Sequence, residues 1–198
     1  MTTLMAFVLV LRVFDRSGES VVDRRAAIDT ADAILRQADV AATWIDCSRG
    51  SKSASRVACT SPMAQGELAV RITAGPREQS PATHRSLGYS YVEPSTGGTL
   101  ATVFTDRVAW LATASRSRQT TLLGRAVAHE VGHLLIGTNE HSDTGLMRAV
   151  WTASELARDE RADWAFTVAD RERLHSSRIG REHWQLAEGT SAGADGES

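Results

Sequence analysis

The sequence predicts an α+β domain, and three observations carry that reading. The chain opens with an apolar strand, an amphipathic helix and a second strand. Further strand-like runs precede one long helical stretch, and beyond about residue 138 only helical patterning remains. With 198 residues and 42% hydrophobic content, the chain is large enough for a core of its own. Residues 1–187 read as one domain. The Gly, Ala, Ser and acidic stretch at 188–198 reads as a disordered tail.

Residues 4–14 give the first strand. Its apolar run, Leu4 to Leu11, has the length of a signal-peptide core, but no Lys or Arg precedes it and no small-x-small site follows. A turn at Arg16–Ser20 leads to a helix over about 23–38, with Ala27, Ile28, Ala31, Ile34, Leu35 and Ala38 on one face. Ala41–Asp46 is the second strand, and a right-handed crossover makes it parallel to the first. Ser48–Gly66 is polar and loop-like. Glu67–Thr73 alternates as a third strand. Gly75–Gly98 reads as a long loop with Pro76, Pro81 and Pro94, interrupted by a short strand near 88–92. A β-rich run at 99–105 and a short helix near 106–113 follow, then a helix from Thr120 to Ile136 closed by Gly137. Thr152 and Glu155 have capping-box spacing for a helix over 151–161, and Thr167 and Asp170 for a last helix to about Ile179. The five tryptophans read as core or rim anchors.

A formal net charge of -2 leaves no electrostatic footprint for nucleic acid. No run of 18 apolar residues exists, so no transmembrane helix is expected.

The chemistry concentrates in thirteen residues that hold three of the six histidines: His129-Glu130-Val131-Gly132-His133, then Gly137, then His141. Each helical residue advances 100°, so His129 and His133 lie about 40° apart and roughly 6 Å along the axis. Both imidazoles can then reach one zinc ion at about 2.0–2.1 Å. Glu130 is rotated away from the metal and suited to a water beside it. The third ligand has several candidates. His141 sits in a polar loop with no other evident role, Asp143 would give a His2Asp site, and Glu155 or Glu160 a His2Glu site.

Together these residues resemble the metzincin clan of zinc peptidases, whose pattern is H-E-x-x-H-x-x-G-x-x-H. The chain departs by one extra residue on each side of the glycine, which marks a divergent branch. It is similar from about Val10 to Arg173 to bacterial predicted peptidases with an HExGHLLLG…HS…TGxMR…W stretch. The resemblance implies a zincin or metzincin-like fold: a twisted mixed sheet packed on two helices, the second carrying HExxH, with a small helical C-terminal subdomain. The upper part would span about 4–137 and the lower about 138–187. It further implies Zn2+ held by His129, His133 and His141, Glu130 as general base, and Thr144-Gly145-Leu146-Met147 as a Met-turn with Met147 beneath the metal. Either 88–92 or 99–105 would be the edge strand that pairs with an extended substrate. The implied activity is a zinc-dependent endopeptidase acting on a peptide or protein substrate as a monomer. The alternative is a non-catalytic zinc-binding or partner-binding module. Some metzincins carry a helper tyrosine two residues past the methionine. Here that position is Ala149, which leaves Arg148, Tyr89, Tyr91 and His84 as unranked candidates. By analogy with secreted peptidases, Cys47 and Cys59 would form a disulfide, which would favour an exported protein.

Overall fold

Leu9, Leu11 and Val13 alternate along the first strand and are each almost wholly buried, the period-two pattern of a strand with a covered face. The structure, a computed structural model, describes residues 8–48, 53–76, 86–93 and 97–177. The strands are β1 (Val8–Asp15), β2 (Ala41–Asp46), β3 (Leu68–Thr73), β4 (Gly88–Glu93) and β5 (Gly97–Phe104). They form one five-stranded mixed sheet in the order β2-β1-β3-β5-β4. Every neighbouring pair is parallel except β4 with β5, which is antiparallel. The expected parallel pairing of the first two strands is present. Of the two candidates for an outer strand, 88–92 corresponds to the edge β4, and 99–105 to the interior β5.

Two long helices bury the sheet's core. Helix α1 (Val21–Gln37) begins at Ser20, whose side chain accepts from the Asp23 amide, satisfying one otherwise orphaned donor. It turns Ala27, Ile28, Ala31, Ile34 and Leu35 inward. Helix α4 (Gln119–Ile136) is buried along nearly its whole length. The two helices meet at Gly124, where an added Cβ would lie 2.4 Å from the Ala27 carbonyl oxygen. A glycine inside a helix costs about 1 kcal/mol relative to alanine; here it permits a close crossing that no side chain would allow. Between β5 and α4 runs α3 (Thr105–Ser115).

Two sequence expectations need correction. The segment read as a loop at 48–66 contains helix α2 (Ser53–Thr60). It is tied to the end of β2 by a Cys47–Cys59 disulfide with Cα atoms 5.3 Å apart. The helix expected over 151–161 is shorter: α5 (Ala153–Arg158) stops where Asp159 takes a left-handed φ of 53°. A 3-10 turn at Arg161–Trp164 follows. Both capping boxes form, at Thr152 with Glu155 and at Thr167 with Asp170, the latter opening α6 (Val168–Ser176). The expected start of the first strand at residue 4, the end of the last helix, the boundary at 187 and the tail at 188–198 lie outside the described residues. Among the described residues, no helix is long and apolar enough to cross a membrane.

Candidate metal centre

Helix α4 presents His129 and His133 one turn apart, and backbone acceptors fix how each ring is protonated. The Nδ1 of His129 is 2.8 Å from the Leu146 carbonyl oxygen, and the Nδ1 of His133 is 2.8 Å from that of Thr138. A carbonyl only accepts, so each Nδ1 carries its proton and each Nε2 keeps a lone pair. Those two Nε2 atoms face one another at 3.1 Å. Such an approach is favourable only with a cation or a shared proton between them. Burial, with neighbouring His133 adding to it, pushes His129 down to about 3, so a proton is not available near neutrality. Burial likewise lowers His133 and His141.

His141 completes the set. Gly137 ends α4 in a left-handed conformation with φ of 80°, and its amide donates to the His133 carbonyl at 2.9 Å. The chain then turns back and brings His141 to the other two rings, 5.4 Å from His129 and 4.9 Å from His133 between centroids. One ligand nitrogen from each histidine lies within 4.8 Å of the other two. Nitrogens bound tetrahedrally at 2.0–2.1 Å would stand about 3.3 Å apart. Three close imidazoles, two of them with lone pairs oriented by backbone acceptors, could therefore hold a metal ion.

The other candidate ligands are engaged elsewhere or stand apart. Glu155 caps α5 and forms an ion pair with Arg148 at 3.2 Å. Glu160 pairs with Arg158 at 3.1 Å. Asp143 is not in the clustered set.

Glu130 is buried beside these rings. Burial pushes its carboxyl up to about 7, against the opposing effect of a hydrogen bond from Ser90. The Ser90 hydroxyl lies 2.8 Å from Glu130 Oε2 and 2.7 Å from the Glu130 main-chain oxygen.

Beneath α4 the chain makes a tight floor. Gly145 has φ of 74°, and a Cβ there would lie 2.7 Å from the Ala165 carbonyl oxygen. Leu146 donates its amide to that same carbonyl at 2.8 Å, while its own oxygen receives His129. Met147 is 1% exposed. It reaches α4 at Gly132, where a Cβ would sit 2.6 Å from Met147 Sδ and 2.7 Å from Phe166 Cε1. The loop holding His141 is tied down by Ser142, which donates to the fully buried Asp170 at 2.5 Å.

A cleft of about 1200 Å³ opens over the histidines. Strand β4, helix α3 and residues 148–151 line it, including Trp110, Leu111, Val150 and Trp151. Trp151 stands edge-on to His129, with ring centroids 6.0 Å apart. Among the helper candidates, Arg148 is buried and lines the cleft from its floor. Its Nη1 donates to the carbonyls of Gly145 and Asp163 at 2.6 and 2.7 Å, and its guanidinium lies over Trp164. Tyr89 lines the cleft and is bonded to Arg71 at 2.7 Å. Tyr91 is on the same strand but not in the cleft wall. His84 lies outside the described residues. Sequence reasoning missed Ser90, Gly88 and Gly132. For Gly132 a signal existed, since a glycine in mid-helix requires a packing reason.

No protein-family model matches the chain, and no curated protein matches it.

Proposed function

We propose that this protein is a zinc-dependent endopeptidase of a divergent metzincin-like kind. One observation carries the reading: three imidazoles converge within 4.8 Å in a cleft that also holds the buried Glu130. Three protein ligands with an open fourth position are the usual arrangement of a catalytic zinc, whereas structural sites fill all four. Nitrogen donors alone suit zinc among several first-row metals. The edge strand β4, the long helix bearing the motif and the buried Met147 support that reading.

Zinc, when bound, supplies Lewis-acid polarisation of a substrate carbonyl and acidifies a nearby water. His129, His133 and His141 would hold it through Nε2 of the first two and one ring nitrogen of the third. The Leu146 and Thr138 carbonyls keep the helix-borne rings in their working tautomer, the usual task of groups behind a metal ligand. The Glu130 carboxylate takes a proton from the attacking water and returns it to the leaving amine. Burial raises this carboxyl in the metal-free protein, which opposes the lowering that a nearby cation brings. An extended peptide adds to β4, the edge of the sheet among the described residues. The apolar wall of Trp110, Leu111, Val150 and Trp151 covers the reacting bond from bulk water.

A non-catalytic metal- or partner-binding module is the competing reading, and one observation favours it. Position 149 is alanine, so the helper tyrosine of some metzincins has no counterpart there. Elemental analysis of protein purified without added metal, followed by a peptide-library digest with and without chelator, separates the two. The peptidase reading expects about one zinc per chain and cleavage that chelation stops. No bound metal ends the site; metal without cleavage leaves the module.

A further inference from the structure

We propose that Ser90 is a positioning residue for Glu130, orienting its carboxylate from the outermost strand in space that Gly88 leaves open. The inference rests on the peptidase reading, which makes Glu130 the general base.

Gly88 and Ser90 are two residues apart on β4 and so share one face of the sheet. That face meets α4 at Glu130. The Ser90 hydroxyl reaches Glu130 Oε2 at 2.8 Å. It also lies 2.7 Å from the Glu130 main-chain oxygen, but that oxygen already accepts within α4, and a hydrogen bond to a charged carboxylate is the stronger one. One proton serves one acceptor, so the carboxylate is the preferred partner whenever it is ionised. The second oxygen is fixed by shape. A Cβ at position 88 would stand 2.8 Å from Glu130 Oε1 and 2.9 Å from its Cγ, so the carboxylate rests against bare backbone. One oxygen is held by a donor and the other by a wall, which stops rotation about the last side-chain torsion. Both constraints come from β4, the outermost strand of the sheet among the described residues. The strand that receives substrate is thus the strand that aims the base.

Aim matters because a misplacement of about 1 Å can cost roughly 10²-fold in rate. Ser90→Ala is expected to lower kcat by about 10–100-fold, leaving KM and metal content at wild-type values. Ser90→Thr, which keeps the hydroxyl, should recover most of the loss. In a Glu130→Gln background, Ser90→Ala should cost little more, since residues acting as a unit are not additive. A second readout needs neither metal nor activity. In chelated protein, the melting shifts of Ser90→Ala and Glu130→Ala should fall short of additivity by about 2–4 °C, the size of one buried hydrogen bond. Wild-type kcat in Ser90→Ala, a loss that multiplies fully with Glu130→Gln, or additive melting shifts would each overturn the proposal. Those results leave the peptidase reading standing. Absence of any wild-type hydrolysis in zinc-loaded protein overturns the reading beneath, and Ser90's catalytic purpose falls with it.

Discussion

The sheet ends on β2 at one side and β4 at the other, and the two edges are finished in opposite ways. At the β2 side, Arg24 is buried between Asp15 at 2.9 Å and Asp46 at 3.0 Å, and the Cys47–Cys59 disulfide fastens α2 to the strand's end. Trp44 adds a bond to Asp32 at 3.0 Å. The β4 side has no such fastening among the described residues. Its inner face holds Glu130, while Tyr89 and Tyr91 are 46% and 64% exposed. An unblocked edge is a pairing hazard that proteins usually suppress. Closing one edge with covalent and ionic ties while the other, among the described residues, carries none beside the histidines separates holding the fold from receiving a ligand.

That division can be broken from either side. The largest effect belongs to the metal side: His129→Ala or His133→Ala removes one of three nitrogens, and bound zinc and hydrolysis should both disappear. Metal retained at wild-type stoichiometry in either variant would move the site elsewhere. Next comes Glu130→Gln, which should keep zinc while slowing peptide hydrolysis by about 10²–10⁴-fold. Equal cleavage by wild type and variant would assign the activity to another base or a contaminant.

On the closed edge, replacing Cys47 and Cys59 by serine frees a loop of 12 residues' separation. Such a crosslink contributes about 3 kcal/mol, so the melting temperature should fall by roughly 6–12 °C. Zinc content and the rate at 25 °C should not change; loss of metal would show that the two edges are not independent. The smallest effect concerns Asp46. Burial raises its carboxyl, but hydrogen bonds from Ser48 and the Arg24 guanidinium more than offset this, and the net shift is downward. A lowered folded pKa stabilises above the ordinary carboxylate value near 4 and loses that contribution as pH falls through the folded value. Asp46→Asn should therefore lower the melting temperature by about 1–3 °C at pH 7, allowing for solvent screening. The difference should shrink to nothing in acid. A difference that persists there would point to packing instead of charge.

The elements written in local pattern were legible from sequence. The apolar face of α1, the Gly137 stop of α4 and the two capping boxes each depend on residues within a turn or two, and each stands where the spacing puts it. The three imidazoles also meet as the spacing suggests. Helix α2 was illegible because Ser53-Ala54-Ser55 and its neighbours favour turns by their own side-chain bonding. The expected Cys47–Cys59 disulfide does tie this segment to β2, but a crosslink does not say whether the loop it closes is helical. A local reading also misses Ser90 and Gly88. A serine and a glycine in a short strand after a proline-rich stretch look ordinary until the strand is laid against Glu130, 40 residues on. Arg148 is one of four unranked helper candidates in the sequence, and only the fold shows its Nη1 bonded to carbonyls of the floor while the side chain also lines the cleft.

The notch at Gly132 has a consequence for chemical wear. Met147 fills it with its thioether and is 1% exposed, whereas Met63 is 39% exposed. Sulfoxidation adds a polar oxygen to the sulfur, and the notch has no volume to take it. A peroxide therefore reaches Met63 in the folded protein but Met147 only when the floor lifts from α4. The ratio of the two oxidation rates counts how often that lifting happens. A ligand that joins His129 to His141 holds the same seam shut, and it would protect a sulfur it never touches.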